Sequence, residues 1–158
     1  MHAWSSVQCA MDYDFAKLFT LCRTCPEGFV LRSLEERHAE VVSAYWPYSN
    51  NVEAKQEFFK SLIKKFHSVG LFAQEDPNKP IAWSLQYPYG PPANLYVIEK
   101  YRRRGFASLL MEHMCKCIQT DGLVPWAGVE VSNDSGKELL RRMGFVELGK
   151  LRYLTTDM

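Results

Sequence analysis

The residues best suited to chemistry stand together at 102–107, where Arg102, Arg103 and Arg104 lead into Gly105 and Ala107. They follow an apolar, β-prone run, Leu95-Tyr-Val-Ile, and precede Ser108-Leu-Leu-Met-Glu-His-Met, whose apolar spacing predicts an amphipathic helix. A helix start presents main-chain N–H groups without intrahelical partners and the positive end of the helix dipole. Strand, basic turn, glycine and helix in that order make an anion seat. Gly105 and Ala107 let an anion approach the main chain, and the three guanidinium groups add charge around it.

Composition bounds what such a seat could serve. A chain of 158 residues fits one domain that buries roughly 70% of its unfolded surface. With 47% hydrophobic and 13% aromatic residues it is expected to fold, and a mean hydropathy of −0.25 with no apolar run of about 18 residues argues against a membrane span. A net charge of +1 gives no global field toward nucleic acid or an anionic membrane, so the arginine cluster is a local feature. The same arginines could hold RNA phosphates, but no second basic stripe with interleaved aromatics accompanies them. Five cysteines, at 9, 22, 25, 115 and 117, do not form a secreted disulfide pattern. Residues 1–20 hold Asp12 and Asp14 and no Arg, unlike a signal or transit peptide. The cytoplasm is the expected location, with the mitochondrion as the alternative.

The elements that must position the seat follow from periodicity and breakers. Residues 1–26 show no clear period, and 1–27 read as an N-terminal arm of unknown role. A strand is expected at 28–32, then a helix with Ala39, Val41, Val42 and Tyr45 that Pro47 stops. Asn51 caps a second helix to about residue 67, with Phe58, Phe59, Leu62, Ile63 and Phe66 at three- and four-residue spacing. Residues 69–74 and 81–87 read as a hairpin around a turn at 75–80. A strand at 94–98 feeds the helix at 104–120. A strand at 126–131, a short helix capped by Asn133 or Asp134 and ending before Gly144, and a strand at 145–154 complete the order. Strands first, then strands alternating with helices, predict an α/β fold on a mixed sheet.

Two spaced motifs carry a family resemblance. Arg102-x-x-Gly105-x-Ala107 after Leu95-Tyr-Val resembles the coenzyme A (CoA) diphosphate loop of the GNAT acyltransferase superfamily. Downstream, Asn133, Leu139 and Gly144-Phe145 are similar to its Asn-x-x-Ala-x-x-Leu-Tyr-x-x-x-Gly-Phe segment. Within the superfamily, His38-Ala-Glu-x-Val, Trp46, Asn51, Val69-Gly-Leu-Phe, Pro80-Ile-Ala-Trp83 and Tyr101-Arg102 resemble the C-terminal domain of the glycine N-acyltransferase-like family over residues 28–154. That resemblance implies a mixed, mostly antiparallel sheet of six to seven strands with about four helices, the domain occupying 28–158. It also implies an acyl-CoA co-substrate without a metal, the diphosphate on the amides of Arg103, Arg104, Gly105, Phe106, Ala107 and Ser108. The pantetheine arm would lie along Tyr96, Val97 and Ile98, with Asn133 touching it from the neighbouring strand. Acyl-CoA and a small amine are the expected partners, with no nucleic acid and no membrane; oligomeric state is left open.

Acyl transfer from a thioester to an amine needs a neutral amine, a donor for the oxyanion and an outlet for a proton. The Val97 N–H is the candidate donor, and Glu130 the candidate base, acting through water, against the plainer reading of a solvated strand carboxylate. The implied acceptor is glycine or another small amino acid. Two departures from the family pattern stand against full turnover: Leu140 where many members carry a proton-donating tyrosine, and no carboxylate between Asp76 and Glu99. A catalytically weak acyl-CoA-binding module is the competing reading. Cys22-x-x-Cys25 points to zinc or redox chemistry only with a second pair at suitable spacing, and Cys115-x-Cys117 on the predicted helix turns its two sulfurs to different sides, so no metal site is expected; His38 and His113 read as structural. Trp46, Trp83 and Trp126 read as core or acceptor-pocket wall. Replacing Gly105 by Glu is expected to block the anion seat and leave the fold intact.

Overall fold

The computed structural model describes residues 4–11 and 23–153. Its strands are β1 Trp4–Met11, β2 Phe29–Arg32, β3 Ser68–Ala73, β4 Asp76–Gln86, β5 Pro92–Val97, β6 Trp126–Glu130 and β7 Phe145–Tyr153. The helices are α1 Ala39–Ala44, α2 Val52–Lys65, α3 Phe106–Thr120 and α4 Asp134–Arg142. The α/β architecture expected from the sequence is present, with two sheets rather than one continuous ladder: β2-β3-β4-β5 and β6-β1-β7. Every strand pairing is antiparallel.

The core forms where helices cover both faces of the first sheet. All of β3 is buried, and its side chains alternate between layers. Phe72 packs with Phe59, Leu62, Trp83 and Leu85 under α1 and α2, whereas Val69 and Leu71 pack with Leu109, Leu110 and Met114 of α3. Each such large side chain contributes about 1.5–3 kcal/mol through burial. One helix face joins the two sheets: Leu110 and Met114 of α3 contact the first, while Met111 and Cys115 pack on Ala127, Val129, Leu140 and Phe145 beside the second. Helix α3 therefore holds the two sheets at a fixed separation.

Several expectations shift for identifiable reasons. The expected turn at 75–80 tightens to Gln74-Glu75, because Ala73 pairs with Asp76, and the remaining residues bulge before Pro80 meets Phe72. Strand β5 starts at Pro92, two residues early, and contains a bulge. Leu85 pairs with Ala93 and Trp83 with Tyr96, so Asn94 and Leu95 face the single Ser84. Asn94 takes the left-handed backbone at φ 48°, which asparagine tolerates better than most residues.

The largest difference concerns the arm. Trp4–Met11 is not outside the fold but is the middle strand of the second sheet, with Val7 opposite Val129 of β6 and Lys150 of β7. Its pairing partners lie more than a hundred residues away, so no local pattern announces it. Residues 12–22, with Cys22, and Leu154 at the expected end of the last strand lie outside the described residues.

Candidate functional site

The turn 102–105 acquires its shape from two left-handed residues, Arg103 at φ 63° and Gly105 at φ 80°. Gly105 is the N-cap of α3, and as a glycine it puts no side chain over the helix end. The first intrahelical bond runs from Leu109 N to Gly105 O at 3.1 Å, which leaves the Phe106, Ala107 and Ser108 amides open. Helix α3 thus starts at Phe106 rather than at Arg104, because the left-handed Gly105 ends the turn. Gly105, Phe106, Ala107 and Ser108 line a cleft of about 610 Å³ with Tyr96, Val97, Arg102, Arg103 and Asn133.

The guanidinium groups are already placed by aromatic faces. Arg104 lies 5.5 Å above the Tyr101 ring, and Arg102 lies 5.5 Å from the Tyr96 ring while its Nε donates to the Val97 carbonyl at 3.0 Å. A further cation flanks the seat. Arg23 pairs with buried Glu112 of α3 at 2.7 Å and lies against Gly105.

Beside the seat runs the free edge of β5, which among the described residues pairs only with β4. Ile98 N donates to Ile81 O at 3.0 Å, so this amide is used within the first sheet. Antiparallel alternation then turns the Val97 N–H and C=O the other way, and the Arg102 bond to Val97 O shows that direction. Of Tyr96, Val97 and Ile98, it is Val97 whose main chain faces the gap. Tyr96 contributes its ring to the gap, and Ile98 packs toward the α1–α2 layer instead.

Across the gap, Asn133 caps α4: its Oδ1 accepts from Gly136 N at 2.9 Å, leaving its amide nitrogen for other partners. A Cβ on Gly136 would meet Val129 Cγ2 at 2.7 Å, so glycine is what lets α4 lie this close to β6. Asn133 and Gly136 line the first cleft and also an adjoining second one of about 430 Å³.

The second cleft holds Glu130, half-buried at the end of β6. The Tyr48 hydroxyl donates to its carboxylate. Burial of the hydroxyl and then the Glu130 carboxylate push the Tyr48 phenol up to about 12. Because Tyr48 is 48% exposed, water screens this pair. Trp46 stands edge-on to Tyr48 at 5.6 Å, and Tyr45 lies 4.9 Å from Tyr96, which stacks on buried Trp83 at 5.2 Å. Trp83 is therefore core and Trp46 cleft wall. Leu140 also lines this cleft, and it offers no proton there.

Sequence reasoning missed Tyr48 and Asn94. The aromatic run Tyr45-Trp-Pro-Tyr48 was the available signal for the first. The Asn94 side-chain nitrogen is buried without a hydrogen-bond partner among the described residues, at the bulge that lines the second cleft. His38 is buried, accepts from Glu35 N at Nδ1 (2.8 Å) and is pushed down in pKa chiefly by burial, in keeping with a structural role. Burial likewise lowers His113 and raises Cys115, to about 12 for the latter. Among the described residues no group of three or more His, Cys, Asp or Glu is placed to hold a metal ion, and no helix is long and apolar enough to cross a membrane.

Comparison with known proteins gives this geometry a setting. Glycine N-acyltransferase of Bos taurus is 24% identical over 123 residues, covering 78% of this chain and 41% of the relative, so the chain spans about two fifths of that protein's length. A Drosophila protein of known crystal structure superposes with a TM-score of 0.84 at 22% identity, over 96% of this chain and 50% of that one. An aminoglycoside N-acetyltransferase in complex with CoA superposes with a TM-score of 0.65 at 15% identity, over 85% of this chain and 100% of that one. The model of the family described as FR47-like protein matches residues 68–154, which hold both clefts' strands and the whole of α3 and α4. The chain therefore belongs to the FR47-like family.

Proposed function

We propose that this protein is an acyl-CoA-dependent N-acyltransferase that moves an acyl group from CoA to an amine. The observation that carries the reading is the uncapped start of α3, with three open amides facing a cleft that continues along the free edge of β5. Two phosphoryl groups fit that start because the amides and the helix dipole favour negative charge there. Arg102 and Arg103 line the same cleft and can pair with the diphosphate in charge-assisted bonds, which are about twice as strong as neutral ones. The main chain of Val97 offers a donor and an acceptor to a pantetheine amide, or its N–H to the thioester oxygen as negative charge builds there.

Glu130 serves as base through water. It stands in the second cleft, which shares Leu95, Tyr96, Asn133, Gly136 and Leu139 with the first, so a thioester threaded between β5 and β6 meets the carboxylate's side of the gap. General base catalysis of this kind contributes about 10²–10⁴-fold. The relatives named glycine N-acyltransferase make glycine the first acceptor to test.

Leu140 at the cleft supports a second reading, a module that binds acyl-CoA and turns over slowly. Both readings raise the melting temperature with acetyl-, benzoyl- or longer acyl-CoA, by up to about 2.7 kcal/mol of added stability at a hundred times Kd. Amine-dependent release of free thiol supports the enzyme. Tight acyl-CoA binding with no such release across an amine panel supports the module.

A further inference from the structure

Strand β5 carries a side chain that the proposed transfer does not use. Asn94 sits in the bulge opposite Ser84, in the left-handed backbone at φ 48°. Its side-chain nitrogen is buried and has no hydrogen-bond partner among the described residues. A buried donor left unpaired is costly, because it has given up water and gained nothing in return. The bulge around it is well fixed. Fully buried Ser84 donates from Oγ to the Ala93 carbonyl at 3.2 Å, and Trp83 pairs with Tyr96 just beyond. The sheet therefore holds Asn94 where its amide is unsatisfied, and costs of this kind collect where a ligand supplies the missing partner.

The two clefts identify the ligand atom that can do so. Along β5 the residues change cleft in order: Val97 lines the first, Leu95 and Tyr96 line both, and Asn94 lines the second alone. An acyl-CoA is ordered the same way, from diphosphate through the pantetheine amides to the thioester. With the diphosphate on the start of α3 and the arm along Val97, the thioester is the group that arrives past Tyr96, and its carbonyl oxygen accepts hydrogen bonds. Resting on the acyl-transfer reading, we infer that Asn94 is a catalytic residue whose side-chain N–H donates to the thioester carbonyl oxygen and holds the oxyanion that forms there, as a second donor beside the Val97 N–H. Rotation about Cβ–Cγ, a broad torsion in asparagine, carries the amide from its closed position to the incoming oxygen. The nitrogen has no bond to give up when it turns, and the new bond strengthens as charge builds on the oxygen.

Asn94 neither gives nor takes a proton in this step. The neutral amine nitrogen bonds to the carbonyl carbon, and the π pair of C=O moves to oxygen, where the amide holds it. The pair returns as C–S breaks with its electrons on sulfur. The proton lost from nitrogen passes through Glu130 and water to that thiolate.

The test replaces Asn94 by glycine in the full chain, since glycine keeps the left-handed backbone without strain and removes the amide. Infrared spectroscopy reads the carbonyl band of bound acetyl-CoA, isotope-labelled at that carbon, with no acceptor present, so turnover is not required. The band is expected at higher frequency in Asn94→Gly than in the wild type. With an acceptor amine, kcat for thiol release should fall about 10²–10³-fold while the thermal shift with CoA is retained. A residue that only shapes the bulge would change stability and leave the band where it was. The same band in both proteins overturns the inference, as does unchanged kcat. A wild-type band at the position of an acetyl thioester in apolar solvent overturns it without the variant. In each of those cases a wild-type thermal shift with CoA leaves the acyl-transfer reading standing, whereas a wild type that shows no shift with CoA overturns that reading itself, and the role of Asn94 falls with it.

Discussion

The two clefts that meet at the gap between β5 and β6 are built from different materials. The first is mostly main chain: bare amides at the start of α3, the free edge of Val97, and glycine where bulk would intrude. The second is mostly side chain, with aromatic rings from the α1–α2 connection, β5 and the β4–β5 loop around one carboxylate of β6. Main-chain recognition tolerates wide sequence change as long as the local backbone shape is kept. Side-chain recognition changes with each substitution, which suits a site that selects one acceptor among many.

Substitutions should separate the two. The largest effect is expected from Ala107→Glu in the first turn of α3. A carboxylate there complements the helix dipole and leaves the apo protein as stable or slightly more so, while it occupies the anion seat. CoA affinity should fall about a thousandfold, read as loss of the thermal shift. A retained shift would place the diphosphate elsewhere. Gly105→Glu, attractive from the sequence, is a poorer choice: at φ 80° a side chain adds about 1–3 kcal/mol of backbone strain, so lost binding would be mixed with lost stability.

Next, Glu130→Gln should cut amine-dependent thiol release about a hundredfold and leave CoA affinity as it was, because the change touches the second cleft alone. Equal turnover across pH would remove Glu130 from the mechanism. Gly136→Ala tests the residue that both clefts share. The added methyl sits 2.7 Å from Val129 Cγ2, and overpacking of this kind costs about 1–3 kcal/mol, measurable as a lower urea midpoint. An unchanged midpoint would mean that α4 and β6 are not held this closely.

The smallest effect is a titration. Tyr48 should ionise later than the ordinary phenol value of 10, toward about 12, and Glu130→Gln should bring it part of the way down by removing the negative charge beside the hydroxyl. The sign for stability follows: between those values the folded protein keeps a proton that the unfolded chain has lost, so this pair's contribution is present below pH 10 and declines as pH rises toward 12. Absorbance at the phenolate band checks it, and a Tyr48 that ionises with the rest would remove the contact.

Legibility in the sequence tracked the same division. The anion corner was readable because strand, basic turn, glycine and helix are consecutive, and each has a local steric or hydrogen-bonding cause. Asn133 was readable as a cap. The Tyr48–Glu130 contact spans 82 positions, and nothing local to either residue announces the other. Strand β1 was missed for the same reason, since β6 and β7 define its place, and the β5 bulge was missed because its cause lies in the register with β4.

The most direct test of the central claim is a crystal structure with acetyl-CoA bound. The diphosphate should lie within hydrogen-bond distance of the Phe106, Ala107 and Ser108 amides, with the thioester carbonyl turned from Val97 toward Glu130. A diphosphate bound away from that helix start, with those amides facing only water, would contradict the account.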